Sequence, residues 1–375
     1  MNNKKTWIWE HENYPHFIYD RDEIDKIIIE TTKTQGVLEG VLRHLTHKEN
    51  DSIILENAID EIMTSSKIEG EILQRSSVRS SLKKQIEKID DKLSSKHTDN
   101  LAKIQEDANI HHNPLSIEKL NNWHYNLLIE GDYDKEQVTP GEFRNYDDMY
   151  IQTGEGIRTK IHYIALPEED IAENMSKFLE YCNSSKENIF IKSAIVHIWF
   201  EQIHPYGDGN GRIGRNITNY LLSKELGLDT RYFSFSNAIL QNDKSYYEAL
   251  EKTNKLSSNP NLDLSHWIKV HTNFINSAIN TTIKHIDKII KKTKFYDHIE
   301  EIKINNNQSK AINMLLEGRS DIITNAIYRV VTNTTQVTAS RQLADLVKKG
   351  VLKKVLDQEG RSAAYELNIQ SSFQS

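Results

Sequence analysis

His204-Pro205-Tyr206-Gly207-Asp208-Gly209-Asn210-Gly211-Arg212-Ile213-Gly214-Arg215 is the stretch on which the reading of this chain turns. Gly207, Gly209 and Gly211 surround Asp208 and Asn210, and glycine lets a backbone turn sharply and a ligand approach the main chain. The pattern that follows predicts a helix from Asn210 through Leu226. Its first amides and positive dipole end would attract an anion. Arg212 and Arg215, three residues apart on the first turns, would point back toward that anion, an arrangement that suits a polyphosphate. Asp208 offers one carboxylate, which Mg²⁺ accepts when phosphates and water fill its other positions. His204, across the loop, can take a proton near neutral pH. Together these supply a base, a metal ligand, an anion hole and a charge clamp for attack by a hydroxyl on a nucleotide phosphate. Taken singly, each has a plainer reading: a capped turn, or a satisfied core histidine, as His197 is expected to be.

Around the loop the chain reads as mainly α. Ile189–Ile203 is strongly apolar and is expected to be the central helix, ending at His204-Pro205 because the residue before proline avoids the α region. Helical spacing also marks 22–43, 52–66, a polar stretch over 78–109, 116–128, 168–182, 246–255 and 264–294. Trp7, Trp9, Tyr14, Phe17 and Tyr19 predict an extended aromatic cap packed on another element. Met149–Gln152 and Ile161–Ile164, separated by Thr-Gly-Glu-Gly, predict a hairpin with a mobile tip. The low Gly and Pro content, 15 and 6 in 375 residues, fits long helices. No run of about 18 apolar residues occurs, so no membrane helix is expected. The N-terminus lacks a signal-peptide core, and the single Cys182 has no internal partner, which together favour the cytoplasm. A net charge of −7 confines any nucleic-acid contact to a local patch.

The loop resembles the signature of Fic proteins, His-Pro-Phe-x-Asp-Gly-Asn-Gly-Arg-x-x-Arg, with Tyr206 in place of the usual Phe and its ring retained. The resemblance implies AMP transfer from ATP to Ser, Thr or Tyr hydroxyls of proteins, the chain itself included. His204 would be the general base and Asp208 would bind Mg²⁺. Asn210 and the amides of Gly209 and Gly211 would hold the α- and β-phosphates, Gly207 would line the ATP site with them, Arg212 would contact the β-phosphate side, and Arg215 would orient the γ-phosphate. Asp208 in that position is the form associated with AMP rather than phosphate transfer.

Ser65-x-x-x-Glu69-Gly70 resembles the family's inhibitory motif, in which Glu69 would compete for Arg215. Ser66-Lys67-Ile68-Glu69 also fits a helix capping box. Some relatives use the same glutamate to position water and remove AMP. The 149–164 hairpin resembles the family's flap, which would align a target segment by strand addition, and is equally an ordinary surface hairpin. Gly141-Glu142-Phe143-Arg144 also fits the family pattern, with no chemical role given to Arg144. Asn242 and Tyr247 lie where relatives close the adenine pocket, while Tyr246 and Tyr247 also fit a core.

The resemblance extends over most of 7–264. It implies a Fic-type helical bundle with a flap: residues 1–112 as an N-terminal helical domain with the inhibitory helix, 113–275 as the catalytic domain and 276–305 as a connecting helix. Residues 306–375 read as a winged helix-turn-helix, with helices at 308–316, 322–331 and 337–349 and strands at 351–356 and 363–367 joined by 357–361. There Arg341, Lys348, Lys349, Lys353 and Lys354 outweigh Asp345, so DNA binding stands beside protein docking. The competing reading is thus a DNA-binding regulator whose nucleotide site is a sensor. Expected partners are ATP and a target protein, with no membrane. Relatives often pair through their catalytic domains, which makes a homodimer a further expectation.

Overall fold

The computed structural model describes residues 5–86, 93–147, 149–153, 159–227, 229–298, 302–316, 320–355 and 363–368. The aromatic opening packs as expected: Ile8–Glu10 form a short 3₁₀ turn, and Trp7, Trp9, Tyr14 and Phe17 lie against buried neighbours. Asp20 accepts from the Asp22 amide and starts α1 (Arg21–Leu42). Helix α2 (His47–Ile68) starts at a capping box of Thr46 and Glu49, well before the expected 52. It runs to Ile68, so Glu69 is its C-cap and the capping-box reading of 66–69 does not hold. Gly70, at φ 83°, makes the left-handed exit, and the Glu71 amide returns to the Ser66 carbonyl.

The polar stretch over 78–109 is two helices, α3 (Arg75–Ile86) and α4 (Lys96–Ile110), with 87–92 outside the described residues. Ser116 caps α5 (Ile117–Leu128). The hairpin is β1 (Tyr150–Thr153) paired antiparallel to β2 (Lys160–Ile164), with a register irregularity at Ile151/Gln152. Its tip, expected to be mobile, lies largely outside the described residues.

Then come α6 (Glu168–Ser184), α7 (Ile189–Ile203) and α8 (Asn210–Leu226). Nearly every side chain of α7 is buried, because it is apolar all round and is enclosed by its neighbours. Helices α9 (Phe235–Gln241), α10 (Asp243–Asn254) and α11 (Ser265–His298) complete this part, and the Trp267 indole donates to the Ala194 carbonyl on α7 at 2.7 Å.

Residues from both sides of the expected boundary at 112 share one core: Ala58, Ile59 and Ile62 of α2 pack with Leu120, Phe200 and Ile213. The chain divides instead into 1–282 and 283–375, a division inside α11. The second unit holds α12 (Asn306–Leu316), β3 (Ile323–Thr324), α13 (Asn325–Thr332), α14 (Gln336–Lys348), β4 (Leu352–Lys354) and β5 (Ala364–Leu367). The expected helix at 322–331 loses its first residues to β3, because Ile323 and Thr324 pair with Tyr365 and Ala364 on β5 and Thr324 caps α13. The antiparallel sheet has order β3-β5-β4 and shares a core with Ile312, Tyr328, Leu343 and Leu346. The loop expected at 357–361 lies outside the described residues.

Candidate active site

Helix α7 ends in a left-handed turn. His204 has φ 49° and ψ 58°, a conformation that costs a non-glycine residue about 1–2 kcal/mol. Proline at 205 excludes the ordinary α continuation. Arg144 holds the turn: its amide donates to the Pro205 carbonyl at 2.9 Å, its Nε to the His204 carbonyl at 3.0 Å, and its other nitrogens to the Tyr146 and Leu166 carbonyls. A buried arginine whose donors all end on backbone carbonyls fixes geometry, and nothing local in the sequence marked Arg144 for this.

The loop is stapled internally. The Asn210 side chain accepts from the Tyr206 amide at 3.0 Å and donates to the Tyr206 carbonyl at 2.7 Å. Its oxygen and one hydrogen of its amide, a group expected on the phosphates, are thus used within the loop itself. The Tyr206 ring is buried, stacks on His124 with centroids 3.9 Å apart, and its hydroxyl donates to Asn121 at 2.9 Å. His124 accepts from the Gly141 amide at 2.9 Å and donates to the Asp208 carbonyl at 3.1 Å. Burial pulls His124 down to about 4, which keeps the neutral form that this pairing needs. Gly209 has φ 77°, and a Cβ there would lie 2.8 Å from Leu127, so position and conformation both require glycine.

The result is a cavity of about 560 Å³ lined by Gly207–Gly211, His204, Glu201 and Arg215, with Glu69, the β1–β2 hairpin and α10 as its other walls. The His204 Nδ1 faces the Glu201 carbonyl at 3.3 Å, which assigns the proton to Nδ1 and leaves the Nε2 lone pair able to accept one. Burial pulls His204 down to about 4, so the imidazole is neutral at pH 7. Asp208 is partly exposed, and its Oδ1 takes the Gly209 amide at 2.5 Å and lies 3.5 Å from Arg212. Among the described residues no three His, Cys, Asp or Glu side chains gather as a metal-ligand set. A lone carboxylate at the mouth of a phosphate cradle fits Mg²⁺ only when the phosphates complete the coordination.

The two arginines do not converge on one point in this state. Arg215, buried, donates to Glu69 Oε1 at 2.8 Å and to Ser65 Oγ and the Ser65 carbonyl, both at 3.0 Å. Arg212 donates to Glu71 at 3.1 Å. Glu71 in turn meets His97 at 2.5 Å. Burial alone would raise Glu71, but hydrogen bonds from His97 and Ser66 and the charges of His97 and Arg212 take it down to about 2. A Cβ at Gly211 would sit 2.4 Å from Glu69 Oε1. The glycine therefore leaves the space that the glutamate fills, and the anion position at the start of α8 is held by the chain's own carboxylate.

Of the two expected adenine-side residues, Tyr247 is half-exposed and lines the cavity, while Asn242 is exposed at the α9–α10 junction and is not among the lining residues. Tyr246 is core, bonded to buried His197 at 2.9 Å. Across the cavity Met149, Ile151, Gln152, His162 and Tyr163 come from the β1–β2 hairpin and its approach. Glu251 on α10 tethers that hairpin, accepting from Lys160 at 3.0 Å and His162 at 3.2 Å as well as from Lys255 at 2.6 Å. Those hydrogen bonds, Lys255 first, take Glu251 down to about 2. Glu71, Glu201 and Glu251 escaped the sequence reading because their partners are distant in the chain.

Residues 114–222 match the Fic/DOC family, and residues 7–87 match a domain of unknown function (DUF4172). A curated protein of Aquifex aeolicus (strain VF5), named "Probable protein adenylyltransferase", is 30% identical over 125 residues, which are 30% of this chain and 37% of that protein. The chain thus spans little more than a third of that relative's length. A Fic family protein from Desulfovibrio desulfuricans G20 aligns over 91% of this chain and 95% of its own, with a TM-score of 0.52 at 18% identity. A Fic-domain-containing signaling protein from Bacteroides thetaiotaomicron VPI-5482 aligns over 70% and 96%, with a TM-score of 0.50 at 18% identity. At such identities the likeness is one of fold.

Proposed function

From the Fic/DOC family domain that residues 114–222 carry, we propose that this chain is a protein adenylyltransferase restrained by Glu69. The observation that carries the reading is the neutral imidazole of His204 beside a glycine-lined helix start whose anion position already holds Glu69 paired to Arg215. ATP would place its α- and β-phosphates on the amides of Gly209 and Gly211. Arg212 would bear on the β-phosphate and Arg215, once free, on the γ-phosphate. Asp208 would hold Mg²⁺, whose charge would ease departure of pyrophosphate. His204 Nε2 takes the proton of a Ser, Thr or Tyr hydroxyl, the oxygen bonds to the α-phosphorus, and the α–β bridging bond breaks. Tyr247 would flank the base.

Glu69 and Ser65 hold Arg215 away from the γ-phosphate, so nucleotide that does enter sits with its α-phosphate misaligned for in-line attack. Incubation of the Glu69→Gly protein with Mg²⁺ and labelled ATP tests this. The α-label should become protein-bound while the γ-label leaves with pyrophosphate; retention of the γ-label alone would point to phosphate transfer instead.

A second reading attaches to 306–375, as a winged helix that docks DNA. It is supported by three helices with an antiparallel three-stranded sheet, and by exposed Ser340, Arg341 and Lys348 along α14. Against it, Lys349 pairs with Asp345 at 2.6 Å and Lys353 with Glu366 at 3.1 Å, which trims the basic excess. A salt-dependent shift of duplex DNA by the full chain, lost on Arg341→Ala, would support it. Among the described residues no helix is long and apolar enough to cross a membrane.

A further inference from the structure

One buried carboxylate at the cavity has no part in the steps above. Glu201 sits on the last turn of α7, three residues before His204. Its side chain is 13% exposed, and Oε1 is buried with no hydrogen-bond partner among the described residues. That oxygen lies against Gly214, where a Cβ would come within 2.9 Å of it, so a glycine makes room for the carboxylate. The other oxygen, Oε2, is 3.8 Å from His204 Nδ1. A buried acid that lines the cavity beside the base, with one oxygen left without a protein partner, is not an ordinary packing residue.

The groups that face it come from four elements. Glu69 is on the turn after α2, Arg215 on α8, His204 at the end of α7, and Tyr246 and Tyr247 on α10. Burial, with Glu69 adding to it and Arg215 opposing, pushes the Glu201 carboxyl up to about 7. The same glutamate that occupies Arg215 therefore also favours the neutral acid at Glu201. Without Glu69 that contribution is gone, Arg215 still favours the ionised form, and a carboxylate stands beside Nδ1.

We propose that Glu201 is a positioning residue for AMP transfer, one that stabilises the imidazolium formed on His204, and that Glu69 suppresses it while the inhibitory pair is closed. The proposal rests on the adenylyltransferase reading. The target's proton goes to His204 Nε2, and the positive charge spreads over the ring to Nδ1–H, where the ionised Glu201 carboxylate, 3.8 Å away, stabilises it by its charge while the N–H stays on the Glu201 backbone carbonyl. No proton passes to Glu201, and Nε2 later releases its proton to solvent. The arrangement parallels a carboxylate–imidazole pair in which the acid orients and steadies the base without itself being protonated.

The test uses the full chain in the Glu69→Gly background, with AMP transfer measured from pH 5.5 to 9. Adding Glu201→Gln should lower kcat on the order of tenfold or more, leave KM for ATP within about twofold, and remove a limb of the pH profile near neutrality. Glu201→Asp, which keeps the charge one methylene further back, should recover part of kcat and restore the limb. If Glu201→Gln does not unfold cooperatively, the Asp variant is read alone: a lowered kcat with the limb kept supports the proposal, and an unchanged kcat overturns it. A Gln variant with the kcat and pH profile of its parent also overturns it. Should Glu69→Gly itself transfer no AMP, the failure belongs to the adenylyltransferase reading.

Discussion

Replacing Glu69 by glycine removes one of three hydrogen bonds that Arg215 donates to the 65–69 segment, and the charged one among them. The Glu69 contact spans 2.8 Å and the two Ser65 contacts 3.0 Å each. The arginine side chain is 2% exposed and the glutamate 33%. Gross attraction for such a pair is on the order of 4 kcal/mol at an effective dielectric near 20. Solvent at the glutamate removes part of that, leaving about 2–4 kcal/mol. If the γ-phosphate must displace Glu69 before attack, deleting the pair speeds AMP transfer by about 30- to 900-fold. Glycine is tolerated at a helix C-cap, so the fold should survive. The assay is transfer of α-label at saturating ATP for parent, Glu69→Gly and Glu69→Gln, with ATP affinity measured on each. Glutamine keeps the shape without the charge and should give an intermediate rate. A Glu69→Gly protein that unfolds cooperatively, binds ATP at least as tightly as the parent and transfers no faster would refute the reasoning.

Three further outcomes follow from contacts in the first unit. His204→Ala in the Glu69→Gly background should lower kcat on the order of 10²–10⁴-fold with ATP affinity within about threefold, as read by transfer assay and calorimetry. Glu61 is buried and accepts from Ser234 Oγ at 2.7 Å, the Ser236 amide at 2.9 Å, Ser236 Oγ at 2.6 Å and Asn219 at 3.0 Å, which seats α2 on α8 and α9. Glu61→Ala strands those donors, at about 3–4 kcal/mol, and should lower Tm by roughly 10 °C in a thermal melt; a shift under about 3 °C would contradict that role. Glu71 lies at about 2 in the fold against an ordinary 4.5, so its ionised form stabilises the fold above pH about 4.5, and that contribution is lost as pH falls toward 2. Glu71→Gln should remove on the order of 2–3 kcal/mol at pH 7 and almost nothing at pH 2; an equal loss at both would show that the pairing with Arg212 and His97 is not its source.

The 204–215 loop was legible because its features are contiguous. Twelve neighbouring residues carry the histidine, the glycines and the helix start, and their order alone suggests an anion cradle. Glu69 was legible only by resemblance, since its local sequence fits the start of a helix as well as the end of one. What decides is that α2 runs on to Ile68, its last turn placing Ser65 on Arg215 and burying Ser66, contacts that no local pattern shows. Arg144, Glu71 and Glu251 could not be read in advance. Arg144 acts on carbonyls up to 60 residues away, and Glu71 meets Arg212 across 141 positions, so only the closed fold gives either a partner. Asn210 carries a second task that local sequence does not show: its side chain also ties the loop's own backbone at Tyr206. The two-residue strand β3 was hidden because Ile323 and Thr324 continue a helical apolar rhythm, and only pairing with β5 pulls them out of it.

The central claim is that His204 drives attack by a protein hydroxyl on the α-phosphate once Glu69 no longer holds Arg215. Intact-mass spectrometry of the Glu69→Gly chain after incubation with Mg²⁺ and ATP measures this most directly. A mass increase of one AMP, absent when His204→Ala is added, is the predicted result. An unmodified chain, or an increase of one phosphate, would contradict it.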